Sequence, residues 1–305
     1  MSTNIHYSAC PVCKAVEIKP VFPVKDYTVS GEKFLVVECV NCSLRFTQDV
    51  PDADSISPYY KSEEYVSHSN TSKGLINSLY QKVKKRTLRK KGDLILKKTG
   101  LVKGKILDMG SGTGAFVNEM FSRGWDVTGL EPDEQARRTG SEQYKIEMAD
   151  TSAFNSLPPD SFDAITMWHV LEHVHELHTY IDQLKSLLKK NGRLFIAVPN
   201  YTSGDGEKYK QFWAAYDVPR HLYHFSPASM NYLMDLHEMK IKEYIPMWYD
   251  SFYISLLSSK YKNSTDHGTK GRAKLIPSFF NGVSSNISAL LNNKRCSSVI
   301  YIISK

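Results

Sequence analysis

An apolar run at Lys105–Asp108 gives way to Asp108-Met-Gly110-Ser-Gly112-Thr-Gly114, and an amphipathic stretch, Ala115–Ser122, follows at once. Glycines at alternate positions between a strand and a helix let the backbone turn sharply and approach a ligand, and the helix start adds N–H donors. No other feature constrains the fold as much, because the same order recurs downstream. Apolar runs at Lys105–Asp108, Asp126–Glu131, Lys145–Met148, Phe162–Met167 and Arg193–Val198 alternate with helical periodicities. Such alternation predicts βα units around a largely parallel sheet. Val170, Leu171, Val174, Leu177, Ile181, Leu184, Leu187 and Leu188, spaced by three and four where they do not adjoin, predict one helix after the fourth strand, stopped by Asn191-Gly192. Pro227–Met239 reads as a helix, and Ile241–Trp248 and Ser298–Ile303 as two last strands. Segment 201–226 reads as an inserted loop, and 249–296 as a partly helical insertion.

The glycines imply a nucleotide-like cofactor without choosing it, since G-x-G-x-x-A through Ala115 also fits a dinucleotide fingerprint. The acidic residues around them narrow the choice. Asp108 precedes the first glycine by two positions, and Glu131 ends the next strand, where a carboxylate can accept both ribose hydroxyls of NAD or of S-adenosylmethionine. Asp150, in Ala149-Asp150-Thr151, falls where an adenine amino group would lie, or serves only as a helix cap.

Four of the five cysteines form two pairs, Cys10-x-x-Cys13 and Cys39-x-x-Cys42, before residue 43. Four thiolates at this spacing match tetrahedral Zn2+, and a filled coordination sphere makes the site structural, stapling a segment too short for its own core. The chain begins without a basic region leading into an apolar stretch, and it has no run of about 18 apolar residues. A cytoplasmic protein with no transmembrane segment is expected, its oligomeric state left open. The organisation expected is a zinc module over 1–50, a connector over 51–100 and a catalytic domain over 101–305.

With these residues in order, the chain resembles the class I S-adenosylmethionine-dependent methyltransferases. The resemblance rests on DMGSGTG at 108–114, GLEPD at 129–133, Asp150, PPDSFDAITMWHVLEHV at 158–174 and LKKNGRLFIAVPN at 188–200. It implies a Rossmann-like α/β fold: a seven-stranded, mainly parallel sheet with helices on both faces and an antiparallel last strand at Ser298–Ile303. It implies cofactor contacts from Asp108, Gly110, Ser111, Gly112, Thr113, Gly114, Glu131, Pro132, Asp150, Thr151, Trp168 and His169. The cysteine pairs followed by Cys42-Ser-Leu-Arg-Phe-Thr47 resemble the zinc ribbon preceding such domains in bacterial sugar C-methyltransferases and their relatives.

His169-Val-Leu-Glu172-His173 also spells a metalloprotease signature, H-x-x-E-H. Its position directly after a predicted strand argues against that chemistry. His169 and His173, at i,i+4 on one predicted face, lie instead near where a donor methyl would point, and His169 reads either as a general base or as a satisfied helix-start residue. The stretch Trp213–Pro227 reads either as a merely structural loop or as an acceptor wall, with Trp213, Arg220 and Tyr223 as candidate acceptor-binding residues and His221 and His224 as further candidate bases. The net charge of +7 resides in one run, Lys82–Lys91, with seven basic residues and no acidic one. A solvated helix face, an anionic acceptor such as a nucleotide-sugar, and RNA all fit such a run. The function expected is methyl transfer to a small-molecule or glycan-like acceptor, achieved by in-line positioning and without a catalytic metal. Its rivals are a zinc-ribbon RNA methyltransferase and a non-catalytic docking protein that retains the cofactor.

Overall fold

The computed structural model describes residues 4–61, 75–248, 250–266 and 292–305. The chain opens with strands too short to build a core alone. β1 (Asn4–Ile5) pairs antiparallel with β5 (Val50–Pro51), and β2 (Ile18–Lys25), β3 (Lys33–Cys39) and β4 (Arg45–Thr47) form an antiparallel meander. A turn at Ser57–Tyr60 follows, and helix α1 (Leu75–Thr99) carries the basic run. Part of the connector, including Tyr65, lies outside the described residues.

Beyond α1 the expected alternation unfolds as β6 (Lys105–Met109), α2 (Ala115–Ser122), β7 (Asp126–Leu130), α3 (Glu134–Tyr144), β8 (Phe162–Trp168), α4 (Leu177–Leu187) and β9 (Leu188–Pro199). The chain continues through α5 (Gly204–Tyr209), β10 (Tyr223–His224), α6 (Pro227–Leu236), β11 (Lys240–Pro246), α7 (Asp250–Asp266) and β12 (Ser298–Ser304). The large sheet has the order β11-β12-β9-β8-β6-β7. Its strands β7, β6, β8 and β9 run parallel, and β12 is antiparallel to both of its neighbours. The chain enters mid-sheet at β6, adds β7 on one side, then crosses to add β8 on the other. That reversal opens a crevice at the carboxyl ends of the strands, the place where open α/β sheets bind ligands.

Strand alternation sorts side chains to two faces. Leu107, Ile165, Leu194, Ile196 and Tyr301 share a core with Leu177, Ile181 and Leu184 of α4 and Met230 and Leu233 of α6. Ile106, Ala164, Phe195 and Ile302 pack with Ile95 of α1 and Phe116 and Met120 of α2. Helices therefore cover both faces of a Rossmann-like mixed sheet. Among the described residues no helix is long and apolar enough to cross a membrane.

Three expectations are corrected. The strand at Lys145–Met148 does not form, which leaves six strands in the large sheet among the described residues rather than seven. Lys145 still caps α3 in a left-handed conformation, and the chain reaches the sheet only at a single bridge, Leu130 to Ala149. The long helix from Val170 is broken: His169 has a φ of 59°, Leu171–His173 make a single tight turn, and α4 begins at Leu177. A turn can bury the same apolar residues as a helix, so periodicity alone overcounted. Asn191-Gly192 does not stop the helix either, since β9 begins at Leu188.

Segment 201–226 is not a free loop. Its β10 pairs with β4 and completes a four-stranded sheet with the N-terminal meander. Tyr201, Tyr209, Trp213, Tyr216 and Val218 bury against Val24, Phe34 and Val36. Insertion 249–296 contributes α7, and its residues 267–291 lie outside the described residues.

Candidate cofactor and metal sites

The glycine loop closes β6 with three positive φ values, 67° at Gly110, 54° at Gly112 and 74° at Gly114. A Cβ on Gly110 would lie 2.5 Å from Cγ2 of Val170, whereas one on Gly112 would project into open space. Ser111 Oγ donates to the Asp108 carbonyl at 2.9 Å and ties the loop to its strand. Just past β7, Glu131 accepts from the Gly112 N–H at 2.7 Å and from the Asp133 N–H at 3.0 Å, one bond to each carboxylate oxygen. Each oxygen keeps accepting capacity, so the group can receive two ligand hydroxyls while anchored to the loop. Burial raises its pKa and the two N–H bonds draw it back.

Asp108 lies beneath the loop, buried, with Thr166 Oγ1 donating to its Oδ1 at 2.6 Å. Burial pushes this carboxyl up to about 7 against the opposing pull of Thr166 and Lys91. Lys91 is the inward member of the basic run. Its Nζ stands 4.2 Å from the centroid of the Trp168 ring, and Phe116 meets that ring edge-on at 5.4 Å. Burial lowers the Lys91 pKa, opposed by Asp250 and Asp108. A cavity of about 210 Å³, lined by Lys91, Leu94, Met247, Trp248 and Asp250, adjoins this group. His169 Nε2 lies 2.9 Å from Asp250 Oδ2 and its Nδ1 lies 3.4 Å from Glu172 Oε1. Burial pulls this imidazole down, but the two carboxylates outweigh it and hold the pKa at about 9.

Asp150 is exposed, accepts from the Ser152 N–H at 2.9 Å and pairs with Arg137 at 3.1 Å. It therefore caps the turn that starts at Thr151. Arg137 also donates to the Pro132 carbonyl at 2.8 Å, which places Pro132, Glu131 and Asp150 along one rim. Thr113 sits half-buried in the glycine loop.

The four cysteines converge. Their sulfurs lie within 4.8 Å of one another, with Cys10–Cys42 at 3.5 Å and Cys13–Cys39 at 3.4 Å. Ligands at a Zn–S distance of ~2.3 Å stand about 3.8 Å apart in a tetrahedron, and disulfide sulfurs are far closer, at ~2.05 Å. The donor set fits a structural Zn2+. Each pair ends in a left-handed residue, Lys14 at φ 60° and Ser43 at φ 59°, and the N–H groups of Val12 and Cys13 point at Cys10 Sγ. His178 bonds the Pro11 and Val12 carbonyls at 3.0 Å and His175 the Pro51 carbonyl at 3.1 Å. These two histidines thus form part of the joint to the cysteine module.

The expected acceptor wall is corrected most. Arg220 is 1% exposed and donates to Asp217, Asp26, Thr28 and the Tyr59 carbonyl, so its guanidinium is already occupied. Trp213 is buried with its Nε1 donating to Asp205 at 3.0 Å, and Tyr223 donates to the His175 carbonyl at 3.0 Å. His224 is buried 3.0 Å from Thr47 Oγ1, and burial holds its pKa well below the usual histidine value. These groups form an internal joint between the N-terminal strands and the large sheet. Only His221 of this stretch stays beside the crevice residues, its ring 4.6 Å from that of His173.

Lys91, Thr166 and Asp250 were missed. Lys91 had a signal, since it lies between Leu88 and Ile95 at helical spacing and so falls on the buried stripe of α1. Asp250 had none, because 81 residues separate it from His169.

The profile of a methyltransferase domain matches residues 80–241. The ubiquinone biosynthesis O-methyltransferase of Aeromonas salmonicida is 36% identical over 118 residues, which cover 35% of this chain and 49% of that protein. The enzyme of the same name from Photobacterium profundum is 33% identical over 110 residues, 33% of this chain and 46% of its own. The chain thus spans about half the length of the curated relatives it matches. Among solved structures, a putative sarcosine dimethylglycine methyltransferase from Galdieria sulphuraria aligns with a TM-score of 0.49 at 15% identity, covering 72% of this chain and 84% of its own. The domain profile takes in more than half of the sequence, from Lys91 through the glycine loop to His221, and on that match the chain belongs to the methyltransferase-domain family.

Proposed function

We propose that the protein transfers a methyl group from S-adenosylmethionine to a small hydroxylated acceptor, with residues 1–50 held by a structural Zn2+. The observation that carries this reading is Glu131, anchored by the Gly112 and Asp133 N–H groups at the sheet's reversal point and able to accept further hydrogen bonds. The cofactor supplies an electrophilic methyl on a sulfonium. The chain's own part is positioning: Glu131 receives the ribose hydroxyls, Asp108 and Lys91 take the charged amino-acid end, and Trp168 and His169 border the transferable group. Holding both reactants about 3 Å apart and in line converts an encounter into a unimolecular step.

A neutral, hydroxyl-bearing acceptor is favoured over a nucleotide-sugar because Arg220, the group that would have met a phosphate, is internally satisfied. O-methylation of a phenol or of a glycan hydroxyl suits this site, and the relatives' names point to oxygen as the methylated atom. A panel of phenols, free sugars, nucleotide-sugars and structured RNA, assayed for methyl transfer from labelled cofactor, tests the reading. Turnover on the first two classes is expected. Turnover on RNA alone would replace it with the RNA methyltransferase.

A further inference from the structure

Glu172 is fully buried; neither carboxylate oxygen meets hydrogen-bond geometry among the described residues, and its charged contact is His169 Nδ1, 3.4 Å from Oε1. One contact at 3.4 Å leaves most of this buried carboxylate's accepting capacity unfilled, and buried carboxylates use such capacity by pairing further or by binding metal. The neighbours of Glu172 supply the second possibility. His173 Nδ1 lies 3.0 Å from the Arg220 carbonyl and 2.9 Å from the Tyr60 hydroxyl, and His221 Nδ1 lies 2.9 Å from the Ala215 carbonyl. A carbonyl accepts an N–H, which puts the proton on Nδ1 of each ring and leaves a lone pair on each Nε2. Metal-binding imidazoles are oriented in this way, with the far nitrogen donating to a carbonyl. One donor atom from each of Glu172, His173 and His221 lies within 4.8 Å of the other two.

We propose that Glu172, His173 and His221 bind a divalent transition-metal cation. Two imidazoles and one carboxylate suit zinc, manganese or iron better than magnesium or calcium, and three protein ligands leave a position open. Asp217 Oδ2, 4.0 Å from His221 Nε2, borders the site with further negative charge. His169 does not join the set: its left-handed backbone takes it off the face of His173, and its Nε2 meets Asp250. The site therefore draws on Glu172 and His173 of the H-x-x-E-H string, with its third ligand almost fifty residues on in sequence. Because these residues follow β8 at the sheet's carboxyl edge, the open position is placed to hold an oxygen of the acceptor. That use rests on the methyltransferase reading; cation binding itself does not.

The test is a titration of the full chain, its cysteine site already filled with zinc, with Co2+. One further saturable equivalent is expected, with the weak visible bands of nitrogen and oxygen ligation and no sulfur-to-metal charge transfer. His221→Ala and Glu172→Gln should each weaken it by at least ~100-fold, more than the loss of a supporting group costs. Their affinity for S-adenosylmethionine should stay within a few fold, which shows that they remain folded. No saturable Co2+ binding beyond the cysteine equivalent in wild-type protein overturns the proposal, as does unchanged Co2+ binding in both folded variants. Co2+ bound without any cofactor affinity would leave the cation site standing and remove the methyltransferase reading.

Discussion

Asp108 and Arg220 are both buried charges in segments dense with polar groups, yet their surroundings differ in kind. Arg220 is enclosed by Asp217, Asp26, Thr28 and the Tyr59 carbonyl, with its capacity filled by the chain itself. Asp108 has Thr166 and the remoter charge of Lys91, and its carboxyl is pushed up to about 7 because burial outweighs them. Glu131 likewise bonds two N–H groups and keeps room for more. A binding site and an internal joint can share one composition. What separates them is whether hydrogen-bonding capacity remains after folding.

The sharpest way to break this contrast is at the joint. Stripping zinc, or replacing Cys39 by Ser, should unfold the N-terminal strands, since structural zinc carries on the order of 10 kcal/mol of folding free energy. Hydrogen exchange over residues 4–51 and 201–224 reads the loss. Protection that survives chelation would show that the strands do not depend on the metal. The next largest effect is expected of Asp26→Asn, which removes one of the two carboxylates paired with buried Arg220 and should cost about 1.5–3 kcal/mol in denaturant unfolding. Below its melting transition this variant should still bind the cofactor. A loss of cofactor affinity in folded protein would make the joint part of the site. The Arg220 guanidinium also holds Asp26 below the usual carboxylate range. The stability contributed by this pair is therefore full above the unfolded carboxyl's pKa and is lost as the pH falls through the lower folded one.

Asp108 is expected to behave in the opposite sense. Its folded pKa is raised, so the apoprotein should lose stability as pH rises from the ordinary carboxylate range through about 7, and Asp108→Asn should remove that slope. If the carboxylate receives the cofactor's ammonium, affinity should rise over the same interval in wild-type protein only. A flat profile in both proteins would take Asp108 out of the contact. The smallest effect is expected on the exposed face of α1, where Arg86→Glu should change stability by less than ~0.5 kcal/mol and leave turnover on a neutral acceptor unaltered. A large loss there would revive an anionic acceptor.

The sequence made the cradle legible because its parts are local. The glycines, Asp108 and the end of β7 lie within one βα unit, and their spacing sets their geometry. The joint was illegible because it is made across distance. His224 meets Thr47 across 177 positions and Arg220 meets Asp26 across 194. Nothing in Trp213–Pro227 indicates that a partner strand waits near the N-terminus. The failed third strand and the broken helix share another cause: Lys145 and His169 adopt left-handed conformations that no periodicity announces.

The central claim is that the Gly110–Glu131 cradle holds S-adenosylmethionine, and calorimetric titration of wild-type protein and Glu131→Ala tests it most directly. Micromolar binding of the cofactor, none of NADH, and a weakening of about 10- to 100-fold in the variant are expected, the worth of a charged acceptor at ~1.5–3 kcal/mol. Binding of NADH in place of S-adenosylmethionine, or equal affinity in the two proteins, would contradict the account.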